Sequence, residues 1–150
     1  MKLAEALNER KLLQEKLLRL QDRLNANVKV QEGDTPSEDP EGLFAELERT
    51  VAALEALIVR INRTNAETLV DGRSIADLVA KRDAALKHVR ILSQVLQFAS
   101  ERTTRRTATD IRIVSTIDVA ARQKALDLKS KAIRELDGKI QAANWTTELL

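Results

Sequence analysis

The chain reads as an all-α protein, an antiparallel four-helix bundle whose helices pair as coiled-coil-like hairpins. Three observations predict this. Four segments of roughly 24 to 28 residues, or about 36–42 Å each, repeat their apolar side chains at alternating three- and four-residue spacing. Apolar residues make up 43% of the 150-residue sequence but aromatics only 2%, a core of Leu, Ile, Val and Ala that suits long helices packed side by side. The connection "LVDGRS" between the second and third segments is too short for anything but a tight antiparallel turn.

The first segment covers about residues 2–25, with Leu3, Ala6, Arg10, Leu13, Leu17, Leu20 and Leu24 along one face. The second, about 41–68, follows Pro40 and uses Leu47, Val51, Leu54, Ile58, Ile61 and Asn65. The third, about 75–102, opens on Ser74 as N-cap with Asp77 three residues on, a variant of the capping box. Its face is Ile75, Leu78, Arg82, Ala85, Val89, Leu92, Leu96 and Ala99. The fourth, about 118–143, uses Val119, Leu126, Ile133, Leu136 and Ile140. The whole is the size of one ordinary domain.

Two connections are long, and each holds a short alternating run: Val28 and Val30 in one, Ile111 and Ile113 in the other. In an up-down-up-down bundle both fall at the same end, where they could pair as a two-stranded β-ribbon. Irregular loop is the other reading. The two connections also differ in charge. "EGDTPSEDPE" carries Glu32, Asp34, Glu38, Asp39 and Glu41, whereas "ERTTRRTATDIR" carries Arg102, Arg105, Arg106 and Arg112. The arginines form a candidate basic loop for phosphates. Mutual neutralisation of the two loops is the structural alternative, and no aromatic residue interleaves the arginines to stack on bases.

The charges nearly cancel, at 25 Lys and Arg against 23 Asp and Glu, so no general attraction to nucleic acid or acidic lipid follows. The absence of cysteine removes thiolate chemistry and disulfides and fits a reducing compartment. The amino terminus lacks the apolar core of a signal peptide. The most apolar stretch, "VAALEALIV", is far short of the about 20 residues that span a bilayer. A cytoplasmic location is the expectation.

One stretch interrupts the second seam. "INRTNAE" sets Asn62, Arg63, Thr64 and Asn65 where apolar residues are expected. Counted in depth from the "LVDGRS" end, Arg10, Asn62, Asn65, Arg82 and Asp137 fall at similar levels on the four helices. Glu9 and Asp83 are further acids nearby. Two arginines on core faces need carboxylate or amide partners. The structural reading is a satisfied polar layer that fixes register. The functional reading is an anion site, with Arg10 and Arg82 as a clamp. In either case Asn65 is expected inside, hydrogen-bonded, in one network with Arg10 or Arg82. Gly138, inside the fourth helix, is expected to permit close approach.

Enzyme chemistry finds no support. A di-iron bundle needs Glu-x-x-His pairs, and the single histidine, His88, has Ala85 three residues before it. No Gly-rich phosphate loop or G-x-S-x-G is present. No cofactor is expected. Trp145, just past the last helix, is expected to cover the bottom of the core or anchor a subunit contact.

"MKLAEAL", "VQEGDTPSEDP", "INRTNAET…DGRSIADLVAKRD" and "STIDVAARQ…RELDGKIQAANWTTEL" occur in that order across nearly the whole chain. Together they resemble a family of small helical bacterial proteins, mainly actinobacterial, often labelled septicolysin. "NRTN" and "NWTTEL" are the most specific segments. The resemblance implies a helical bundle of uncharacterised function, and the label implies a membrane-active cytolysin.

The expectation is therefore a non-enzymatic structural or protein-interaction bundle with an unknown partner. Apolar stripes such as Leu7, Leu12 and Leu18 point to a homo-oligomer. The rival from another class is an anion- or nucleic-acid-binding protein that uses the arginines.

Overall fold

The computed structural model describes residues 1–101 and 113–150. Its elements are α1 (Leu3–Asn27), α2 (Pro40–Glu67), β1 (Leu69–Val70), β2 (Arg73–Ser74), α3 (Ile75–Ser100) and α4 (Val119–Thr146). The all-α class holds, and each helix lies within a few residues of its expected position. The chain divides into two compact units, Met1–Ala76 with Gln141–Leu150, and Asp77–Ile140.

In the first unit α1 and α2 run antiparallel. Lys16 meets Glu46 at 2.9 Å, and Arg23, further along α1, bonds Glu38, which precedes α2. Leu20, Leu24 and Leu43 form a buried cluster with Leu47 against it. The expected α1 face is buried or half-buried throughout. The α2 face needs a correction. Its buried positions are Leu43, Thr50, Leu57, Ile61 and Thr64, whereas Val51 is exposed. The true seam repeats at 43, 50, 57 and 64, as Leu, Thr, Leu, Thr. A threonine can occupy such a seam because its hydroxyl bonds the carbonyl one turn back and leaves the methyl facing inward. Thr50 does this to Glu46 and Thr64 to Arg60, both at 2.8 Å.

Chain ends and caps follow local chemistry. Asp39 caps α2 by accepting from the Glu41 and Gly42 amides, and Pro40 fills the first turn, where no amide is needed. Asn27 closes α1. Its amide nitrogen donates to the Arg23 carbonyl at 2.8 Å, and its oxygen accepts from the Glu38 amide at 2.9 Å. The carboxy-terminal residues return to the amino terminus: Leu3 N donates to Thr147 O and Leu149 N to Met1 O, each at 2.9 Å.

The β-ribbon is present but elsewhere than expected. β1 and β2 pair antiparallel, Leu69 with Ser74 and Val70 with Arg73, around Asp71-Gly72. Both turn residues have positive φ, 51° and 79°, the geometry that favours an Asp-Gly hairpin loop. The short helix turn is thus itself the ribbon. Val28 and Val30 lie in irregular chain, Ile113 is exposed and irregular, and Ile111 lies outside the described residues.

The second unit comprises most of α3 and α4. Leu78, Leu96, Leu126 and Ile140 are its buried residues, and the expected α3 and α4 faces are otherwise half-buried. Asp118 caps α4 by accepting from the Ala121 amide at 3.0 Å. Gly138 corrects another expectation. A Cβ built there meets nothing within 4 Å, so the glycine serves no close approach among the described residues.

Candidate functional site

The residues of the anticipated polar layer fall in both units. Arg10, Asn62 and Asn65 belong to the first. Arg10 and Asn65 are half-buried and Asn62 is exposed, and none makes a side-chain hydrogen bond or ion pair with a described residue. Asn65 is therefore not an interior polar group of α2. Thr64 is: it is fully buried, donates to Arg60 O and accepts from Leu150 N at 3.0 Å. Arg60 in turn donates through Nε to Leu150 O at 2.9 Å. The polar interruption of "INRTNAE" is thus a hydroxyl that ties α2 to the carboxy-terminal residues.

In the second unit Arg82 and Asp137 do meet. Arg82 Nη1 donates to Asp137 Oδ1 at 3.1 Å, while Nε and Nη2 donate to Asp83 Oδ1 at 3.0 and 2.9 Å. The bond to Asp83 raises the guanidinium above its ordinary pKa, burial opposes that rise, and the bond to Asp137 adds to it. Two carboxylates already face this one arginine, which leaves little positive field for a further anion. The basic-loop residues Arg102, Arg105, Arg106 and Arg112 lie outside the described residues.

Sequence reasoning missed a second ion cluster, on the α1–α2 side. Arg23 bonds Glu38 through Nε at 3.0 Å and lies 3.6 Å from Glu46, which Lys16 also pairs. Hydrogen bonds from Arg23 hold the Glu38 carboxyl below the usual range, and Lys16 does the same for Glu46. Glu148 is lowered by Lys2 Nζ, at 2.6 Å, and by the terminal ammonium. The acidic connection thus finds part of its compensation within its own unit.

A cleft of about 380 Å³ runs along α3 and α4 in the second unit. Ala85, Ala132, Ile133 and Leu136 give it an apolar lining, to which the alanines contribute only methyl groups. Lys81, His88, Lys129 and Lys139 surround that lining, with Glu135 as the single acid. Glu135 itself pairs with Lys131 at 4.0 Å. The cleft is amphipathic and cationic. It suits an apolar body bearing acidic groups.

Among the described residues no group of His, Asp and Glu could hold a metal ion, and no helix is long and apolar enough to cross a membrane. Trp145 corrects the sequence expectation of a core cover: it is exposed, whereas its neighbour Asn144 is buried.

The chain is similar over its full length to a solved structure, the crystal structure of a functionally unknown conserved protein from Corynebacterium diphtheriae. The TM-score is 0.92 and the identity 39%, covering 100% of this chain and 99% of that one. No curated protein matches. The family of unknown function DUF6847 matches residues 10–149. Neither description carries the septicolysin label, which the sequence resemblance had suggested. With 140 of its residues spanned by the match, the chain belongs to the family of unknown function DUF6847.

Proposed function

We propose that this protein is a non-enzymatic helical interaction module that works as a homo-oligomer. One observation carries the reading. All three aromatic residues of the chain lie at the surface, Phe44 at 43%, Phe98 at 79% and Trp145 at 65% exposure. Burying one such ring is worth about 1.5–3 kcal/mol, and rings are enriched in the cores of protein interfaces. Phe98 also ends a stripe on α3, with Ile91 and Val95, on the side of the helix away from its packed face. Leu12 and Leu18 add exposed apolar surface on α1. Large apolar side chains left exposed in this number favour contact with another chain.

A catalytic reading has little to build on. The side chain of the single histidine, His88, makes no hydrogen bond or ion pair with a described residue. A cysteine-free chain suits a reducing compartment such as the cytoplasm. The test is light scattering on the wild type and on Phe44→Ser/Phe98→Ser/Trp145→Ser. The reading expects the wild type to associate and the variant to be monomeric with unchanged helicity. Equal association by both proteins would remove the aromatic surface as its basis.

A further inference from the structure

We infer that the α3–α4 cleft receives the outward face of α2 from a second copy of this chain, a contact that rests on the self-associating reading above. Besides its buried seam, α2 presents a second face made of Phe44, Glu48, Val51, Glu55 and Val59. At 100° per residue this face lies about 150° round the helix from the seam. All five residues are exposed in the single chain. It is an apolar stripe interrupted only by acids, and neither glutamate pairs with a described residue.

The cleft has the complementary character. Its apolar lining is bordered by three lysines and a histidine, against the single Glu135. Lys81 and Lys129 make no ion pair with a described residue. The spacing also matches. Glu48 and Glu55 are one heptad apart, as are Lys81 and His88, so both pairs span about 10.5 Å. On α4 the border runs from Lys129 to Lys139, about 15 Å. A groove between two helices is the natural seat for an amphipathic third helix, with apolar anchors inward and charges at the edge. Val51, between the two glutamates, then meets the space left by Ala85 and Ala132. Each copy carries both surfaces, so a second copy of the same chain supplies the counterpart of either one.

Charge reversal tests the contact in the full-length chain. Lys81→Glu/Lys129→Glu makes cleft and stripe both acidic, and Glu48→Lys/Glu55→Lys makes both basic. Like charges facing across an interface oppose association, so each variant alone should associate roughly tenfold more weakly than the wild type, or worse. In an equimolar mixture every cleft again meets a stripe of opposite charge, and a one-to-one complex should return to near wild-type affinity. Circular dichroism on each variant confirms that the helices persist. A wild type that is monomeric at all concentrations overturns the self-associating reading itself. A wild type that associates, with variants that associate as well or a mixture that does not recover, overturns only this contact. Recovery of an acidic amphipathic peptide or fatty acid from the cleft of such a wild type likewise overturns it.

Discussion

Arg82 on α3 reaches Asp137 on α4 across 3.1 Å, and Asp83 on its own helix takes the remaining face of the guanidinium. The arginine side chain is 24% exposed and Asp137 47%, so the pair is neither buried nor free in solvent. Sequence depth alone places Arg82 on a core face, and breaking a buried ion pair costs about 3–5 kcal/mol. The observed exposure lowers that expectation. Arg82→Met should cost about 1 kcal/mol, and the coupling with Asp137→Leu in a double-mutant cycle should be about 0.5–1 kcal/mol. Urea denaturation of the four proteins measures both, and strict additivity contradicts the pair.

The two seam threonines of α2 should respond differently to valine. Thr64 accepts from the Leu150 amide as well as donating locally, and its valine variant strands that amide. A loss of about 1–2 kcal/mol is expected in thermal or urea unfolding. Thr50 makes only the local bond to Glu46 O, so Thr50→Val should stay within about 0.5 kcal/mol of the wild type. Equal effects at the two positions contradict the role given to Thr64.

Acid should weaken the first unit first. Glu38, Glu46 and Glu148 all have folded pKa values lowered from 4.5, chiefly by Arg23, Lys16 and Lys2 respectively. A lowered carboxylate adds stability that is present above its unfolded pKa and disappears as pH falls through the folded value. The urea midpoint should therefore hold from pH 7 to about 5 and fall below about 4.5. Arg23→Ala should flatten that fall. A midpoint that rises on acidification contradicts the sign.

Gly138 sits inside α4 with open space around it. Gly138→Ala removes backbone freedom from the unfolded chain and meets no neighbour, so stability should rise by about 0.5–1 kcal/mol. A destabilised variant would mean that something packs against that position.

Most of the fold was legible because long helices advertise themselves by period. Leu3 to Leu24 and Ile75 to Ala99 fell on the packed faces that spacing predicts. The failures have physical causes. Thr50 and Thr64 do not read as seam positions in the sequence, because a threonine is polar unless its hydroxyl bonds its own helix. Leaving them out rotates the expected α2 seam and sets Asn65 in Thr64's place. The Leu-Thr-Leu-Thr heptad at 43, 50, 57 and 64 was the available signal. The alternating runs in the long connections suggest a ribbon between distant loops, although Asp71-Gly72 is itself the local hairpin signature. Of the candidate site, only the Arg82–Asp137 link was visible in advance. Arg23, Glu38 and Asn27 come together through a loop, and periodicity carries no information about loop closure.

The self-associating reading meets its most direct test in sedimentation equilibrium of the wild-type chain over a hundredfold range of concentration at pH 7. The account predicts a mass that is a multiple of 16.8 kDa at the upper end and that declines toward 16.8 kDa on dilution or stays at the multiple throughout. A mass of 16.8 kDa at every concentration would contradict it.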